Sequence, residues 1–258
     1  MSPVEATLGI LVGLLAGVLS GLLGVGGGVV TTPAVNVLLG GTAIEAVATP
    51  LPVIIPTSFV GAYTYAKAGE VSFRAARWAA PPGVVAAIGG ALLTDVVNPH
   101  LLLVLTAGLM VWTSVSVMGG RSPRIPWEKG ATPGWRYAAI GTVAGFVSGL
   151  LGVGGGIVMV PALTVTIGMP LRRALGTSLV VIAVLAVPGT LVHWALGHVD
   201  WAIFLALAIG VIPGARLGAR IALGVRERTL RLLVGVLLLG VAILYGAREL
   251  IELLRTAG

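Results

Sequence analysis

From Ala6 to Ile44 the sequence runs for 39 residues without an ionisable side chain. The pattern recurs: no Asp, Glu, Lys or Arg lies between Glu45 and Lys67, between Arg77 and Asp95, or between Asp95 and Arg121. Such runs approach or exceed the roughly 20 residues that cross a bilayer core. With 57% hydrophobic and 10% charged residues, the chain lacks the polar surface to cover a soluble domain. Lipid offers no hydrogen bonds, so the backbone has to satisfy itself. Leu, Ala, Val and Gly runs without period-two alternation do this as helices rather than as a barrel. The expectation is an all-α integral membrane protein of the cell membrane, with the bilayer as its first partner. The net charge of +7 does not point to nucleic acid, because the basic residues flank the apolar runs, where they set orientation. The absence of cysteine excludes disulfides and thiolate metal ligands.

A second feature divides the chain. The phrase "SGLLGVGGGVVTTPA" at residues 20–34 returns as "SGLLGVGGGIVMVPA" at 148–162, with twelve of fifteen residues identical at an offset of 128. The register continues weakly through Thr49 and Thr177, Gly61 and Gly189, and Gly69 and Gly197. The chain therefore reads as two repeats, 1–119 and 135–258, joined by a polar linker at 120–134. Eight full spans would divide the basic residues seven against nine, which gives no orientation. If each glycine-rich segment instead enters and returns on one side, the division becomes fourteen against two, with only Arg248 and Arg255 outside. Three true spans per half also invert the second copy. The expected fold is two inverted-topology repeats, each a glycine-broken re-entrant helical hairpin (6–40, 137–168) followed by three transmembrane helices (near 47–66, 76–95 and 100–119; 174–194, 200–219 and 231–249). Both termini face outside and the linker faces the cytoplasm. About 16 residues before the first glycine cluster cover roughly 24 Å, too short for a comfortable crossing, with a tilted first arm that crosses fully as the alternative.

Three successive glycines allow a helix to unwind and present peptide N–H groups inward. At membrane depth such a break survives only inside protein or beside a wet cavity, and the short helix that follows points its positive end at the occupant. Gly26, Gly27 and Gly28, with Gly154, Gly155 and Gly156, are therefore candidate substrate contacts for an anion, with close helix packing as the alternative role of the glycines. Thr31, Asn36, Thr49, Thr177 and Ser178 add neutral hydrogen-bonding groups, although hydroxyls also satisfy helix carbonyls. Arg216 is a candidate countercharge, or a snorkelling side chain that reaches lipid headgroups. Pro50, Pro188 and His193 are candidates for gating. His193 and His198 lie five apart, without the support a metal site needs. Neither glycine cluster carries the Lys of a phosphate-binding loop. No cofactor or metal is expected, and the lack of convergent nucleophile, acid and base argues against an enzyme.

These paired phrases, with "RRALGTSLVVIAVLAVPG" and "GVIPGARLGARIA", resemble the sulfite exporter TauE/SafE family, also called the four-toluene-sulfonate uptake permease family. The resemblance spans almost the whole chain. It implies a membrane carrier for sulfite, sulfonates or related sulfur-containing anions. At the position of "GTS" the first half reads "ATP" (Ala48–Pro50), so the two halves are not equivalent there. The expected function is a secondary transporter working by alternating access, with proton coupling, the direction of transport, and monomer or homodimer left open. An anion channel, a membrane enzyme and a structural scaffold are the alternatives.

Overall fold

The computed structural model describes residues 3–97, 99–119, 132–152 and 154–257; most of the linker 120–134 and Ser2 lie outside them. Among the described residues the fold is helical and contains no strand. The helices are α1 (Pro3–Leu23), α2 (Gly28–Val37), α3 (Ala43–Ala48), α4 (Pro50–Lys67), α5 (Phe73–Leu93), α6 (Pro99–Met118), α7 (Gly134–Leu151), α8 (Gly156–Pro161), α9 (Leu171–Ala195), α10 (Trp201–Gly224) and α11 (Glu227–Ala257). Four segments are long and apolar enough to cross a membrane: Pro3–Leu23, Ala43–Lys67, Leu171–Ala195 and Trp201–Gly224.

Local chemistry explains several helix starts. Thr42 and Glu45 form a reciprocal capping box that starts α3. Pro50 occupies the first position of α4, where a missing N–H costs nothing. Asp200 caps α10, its Oδ1 accepting from the N–H groups of Ala202 (2.8 Å) and Ile203 (3.0 Å). Gly27 and Gly155 precede α2 and α8 with φ of 89° and 66°, a left-handed conformation that side chains resist. After α8 the chain continues as a short π-helical turn, Ala162–Thr166, which was not expected from the sequence.

One expectation is corrected. α1 begins at Pro3, so its 21 residues cover about 31 Å, enough to cross by length and composition. The return helix α2 has only 10 residues, or about 15 Å. The two arms are thus very unequal.

Small residues determine the helix pairs. Along α1, Gly9, Gly13, Gly17 and Gly21 meet Ala206, Leu207, Val211 and Ala215 of α10 in rising order, so these helices run parallel. Along α7, Gly141, Gly145 and Gly149 meet Ala79, Gly83 and Ala87 of α5, again in parallel. α4 and α9 are antiparallel, with Gly61 against Leu179 and Gly189 against Leu51. A matched pair of cross-half hydrogen bonds completes the frame. Thr49 Oγ1 accepts from the Asp200 N–H at 3.1 Å, and Thr177 Oγ1 accepts from the Ser72 N–H at 2.9 Å. Ser72 caps α5 as Asp200 caps α10, and both pairs stand 128 positions apart. α6 joins through Thr113 Oγ1, which donates to Ile157 O (2.7 Å), and Ser114 Oγ, which donates to Gly235 O (2.7 Å).

These pairings gather the described basic residues from Lys67 to Arg77 and from Arg136 to Arg231 at one end. There α4 and α10 finish and α5, α7, α9 and α11 begin. Arg173 lies 3.8 Å from Glu70 at that end, and Arg172 donates to the carbonyl of Val225.

Candidate functional site: the junction of the two glycine breaks

The first break leaves α1 at Leu23 and turns at Gly24, Gly26 and Gly27, all with positive φ. The second leaves α7 at Leu151 and turns at Gly152, Gly154 and Gly155 in the same way. Both arrive at Ile54, near the start of α4, and Ile182, near the middle of the antiparallel α9. A β-carbon on Gly26 would lie 2.9 Å from Ile182 and 3.0 Å from Ile54; one on Gly154 would lie 3.0 Å from Ile54 and 3.3 Å from Ile182. The breaks also touch each other, since a β-carbon on Gly156 would sit 2.5 Å from Val25 Cα. Direct backbone contact is what glycine permits and any larger residue would prevent.

Three buried serines surround this junction. Ser20 precedes the first break, and its Oγ would stand 3.9 Å from a β-carbon on Gly27; Ser58 Oγ would stand 3.2 Å from one on Gly26. Ser148 precedes the second break, its Cβ 3.2 Å from the position a Gly155 β-carbon would take. Ser20, Ser58 and Ser148 are 1%, 0% and 0% exposed, and none of their hydroxyls has a hydrogen-bond partner within the protein. The buried Thr32 hydroxyl in α2 also lacks one. Among the described residues, the N–H groups of Gly26 and Gly27 meet no backbone carbonyl. A buried hydroxyl left unpaired costs about 1–3 kcal/mol. Unused donors beside left-handed glycines therefore form a place where a polar ligand oxygen lowers the free energy.

The residues singled out from the sequence divide. Gly26, Gly27 and Gly28 and Gly154, Gly155 and Gly156 come together at the junction. Thr31 follows the first break, but its hydroxyl is already used, donating to Gly27 O at 3.1 Å. Asn36 is half-buried in the last turn of α2, away from the breaks. Thr49 and Thr177 accept the cross-half bonds described above. Ser178 Oγ donates to Gly24 O at 2.6 Å and to Leu175 O at 2.9 Å, so it fastens the first break to α9. Arg216 lines a cleft between α4 and α10 rather than the junction. Pro50 separates α3 from α4, and Pro188 lines an apolar cleft of about 650 Å³ between α4 and α9 with Pro56 and Val187. His193 is buried, its Nδ1 3.3 Å from His198 Nδ1 at the α9–α10 turn.

Ser20 and Ser148 were missed as site residues, although they are the first letter of the repeated phrase in both copies. Ser58 carries no such signal. Its sequence neighbour Thr57 instead donates to Val53 O at 2.6 Å.

Four helices long and apolar enough to span, with two glycine breaks that meet deep inside, fit an integral membrane protein, and the family and relatives it matches are those of membrane transporters. The chain belongs to the sulfite exporter TauE/SafE family, whose profile matches residues 9–245. It is 28% identical over 261 residues to the probable membrane transporter protein YunE of Bacillus subtilis, covering 89% of this chain and 93% of the relative. A probable membrane transporter protein of Xylella fastidiosa is 29% identical over 228 residues, covering 86% and 87%. One from Methanocaldococcus jannaschii is 26% identical over 251 residues, covering 89% and 91%. No solved structure matches the chain.

Proposed function

We propose that the protein is a secondary carrier that moves sulfite, an organosulfonate or a related small sulfur-containing anion across the cell membrane by alternating access. The observation that carries this reading is the junction itself, where two glycine breaks meet between α4 and α9 beside partnerless serine hydroxyls. An oxyanion accepts from hydroxyls and from free peptide N–H groups without requiring a fixed positive charge. The site is then shared between two inverted halves. α1, α4 and α10 run one way and α5, α7 and α9 the other, which supports the inversion, because each helix opposes its copy 128 residues away. The end rich in Lys and Arg faces the cytoplasm by the positive-inside rule, which leaves both termini outside. Rocking one half against the other about the α4–α9 contact exposes the junction alternately.

The test is flux in liposomes containing purified protein, with sulfite, thiosulfate and a series of organosulfonates offered separately. Saturable uptake that is accelerated by the same anion inside is expected for a carrier, and imposing a pH gradient reads proton coupling in the same vesicles. Unitary currents too large for a carrier cycle would replace this reading with a channel. No flux and no binding of any of these anions by folded protein would refute the substrate class.

A further inference from the structure

We infer that the cleft between α4 and α10 is a binding site for an anionic glycerophospholipid of the leaflet at the basic end. The cleft measures about 660 Å³. Its apolar part is formed by Phe59, Val60, Ile212, Pro213 and Leu217, and Phe59 is 68% exposed. At its end towards the last turn of α4 the lining changes to Tyr63, Thr64, Lys67, Arg216 and Arg220. The Lys67 ammonium lies 4.7 Å from the centre of the Tyr63 ring. Among the described residues no carboxylate pairs with Lys67, Arg216 or Arg220. The groove therefore has the layout of a phospholipid: an acyl-sized apolar track that ends in three cations and a phenol at one membrane end, the Thr64 hydroxyl there donating to Val60 O.

The internal repeat supplies a control. α5 and α9 pack in the second version of this arrangement, and the positions 128 residues from Tyr63, Thr64, Lys67, Arg216 and Arg220 are Leu191, Val192, Ala195, Ile88 and Leu92. Every polar group of the cleft is replaced by an aliphatic one in its copy. A packing role shared by both copies does not require that difference. Leaflet asymmetry does, because anionic lipids concentrate on the cytoplasmic side and attract basic residues there. The argument rests on the inverted orientation proposed above. Lipid binding itself does not, and it is measured without transport or a sided membrane.

Purified, detergent-solubilised protein is titrated with dioleoylphosphatidylglycerol and dioleoylphosphatidylcholine, and bound lipid is counted by native mass spectrometry. Glycerol phosphate and sulfite are added as soluble competitors. The glycerol lipid should bind at least about tenfold tighter than the choline lipid, and each of Lys67→Gln, Arg216→Gln and Arg220→Gln should reduce that preference about fivefold. Phe59→Ser should weaken both lipids alike. Should Arg216→Gln fail to fold, Lys67→Gln at the exposed end of α4 carries the test. Equal affinity for the two lipids, or a preference that survives removal of the cations, overturns the proposal. So does displacement of lipid by millimolar sulfite or glycerol phosphate, which would make the cleft a soluble-anion site.

Discussion

At the scale of single residues, the serines separate binding from structure. Ser178 fills the hydrogen-bonding needs of Gly24 and Leu175 carbonyls, so Ser178→Ala should cost about 1 kcal/mol of stability and lower folded yield and flux together. Ser20 and Ser58 satisfy nothing within the protein. Ser20→Ala and Ser58→Ala should therefore leave thermal stability unchanged or slightly raised, while anion affinity, read by calorimetry on purified protein, falls about tenfold for a lost hydrogen bond to a charged ligand. Unaltered affinity in both variants would remove the hydroxyls from the site. The glycines make an unequal pair. A β-carbon on Gly27 has room, with Thr57 Cγ2 nearest at 3.6 Å, and faces only the torsional penalty of about 1–2 kcal/mol. A β-carbon on Gly155 strikes the Ala144 carbonyl as well. Gly27→Ala should yield folded protein with impaired flux, and Gly155→Ala should be the less stable of the two in a thermal unfolding series.

At the scale of helices, the stripe Gly9, Gly13, Gly17 and Gly21 lets α1 approach α10 at backbone distance. In lipid no hydrophobic drive holds helices together, so this packing and its dispersion energy carry the association. Gly17→Ile places a branched side chain 2.5 Å from the Val211 carbonyl oxygen. Size-exclusion profiles should show loss of the monodisperse species, whereas Gly108→Ala, where nothing lies within 4 Å, should elute as the unmodified protein does. The repeated glycines thus serve two purposes that one phrase conceals. Gly21 and Gly149 belong to the helix contacts, and the three glycines that end each "GVGGG" belong to the breaks. The spacing of charges placed the spans near 47–66 and 200–219 close to Ala43–Lys67 and Trp201–Gly224, because lipid favours long apolar helices. It undercounted α1, since the arm was measured from Ala6 and the helix runs from Pro3 to Leu23.

At the scale of the whole molecule, the pairings predict sidedness that a chain without native cysteine allows to be measured cleanly. Ala68→Cys, at the α4–α5 turn, should react with an impermeant thiol reagent only after cells are opened. Leu196→Cys, at the α9–α10 turn, should react in intact cells. Labelling of both from outside would contradict the inverted arrangement of α4 and α9. The same experiment with cysteines introduced at Ser2, Ser122 and Ala257 reads the termini and the linker, with outside labelling expected at the first and last.

The sequence by itself determined that the chain is built of apolar membrane helices, that one glycine phrase occurs twice at an offset of 128, and that its glycine triplets interrupt helices. Charge spacing, the 128-residue echo and the torsional freedom of glycine are all local properties of the chain. It could not say what Thr49, Thr177, Ser178 and Arg216 touch. A hydroxyl that binds substrate and one that holds a neighbouring helix cap are the same residue in the same apolar run, and only the partner brought from the other half distinguishes them. Thr49 meets the Asp200 N–H, Thr177 meets the Ser72 N–H, and Ser20 and Ser58 are left with their donors unused. That division was decided by tertiary structure, because hydrogen-bond satisfaction depends on neighbours more than a hundred residues away.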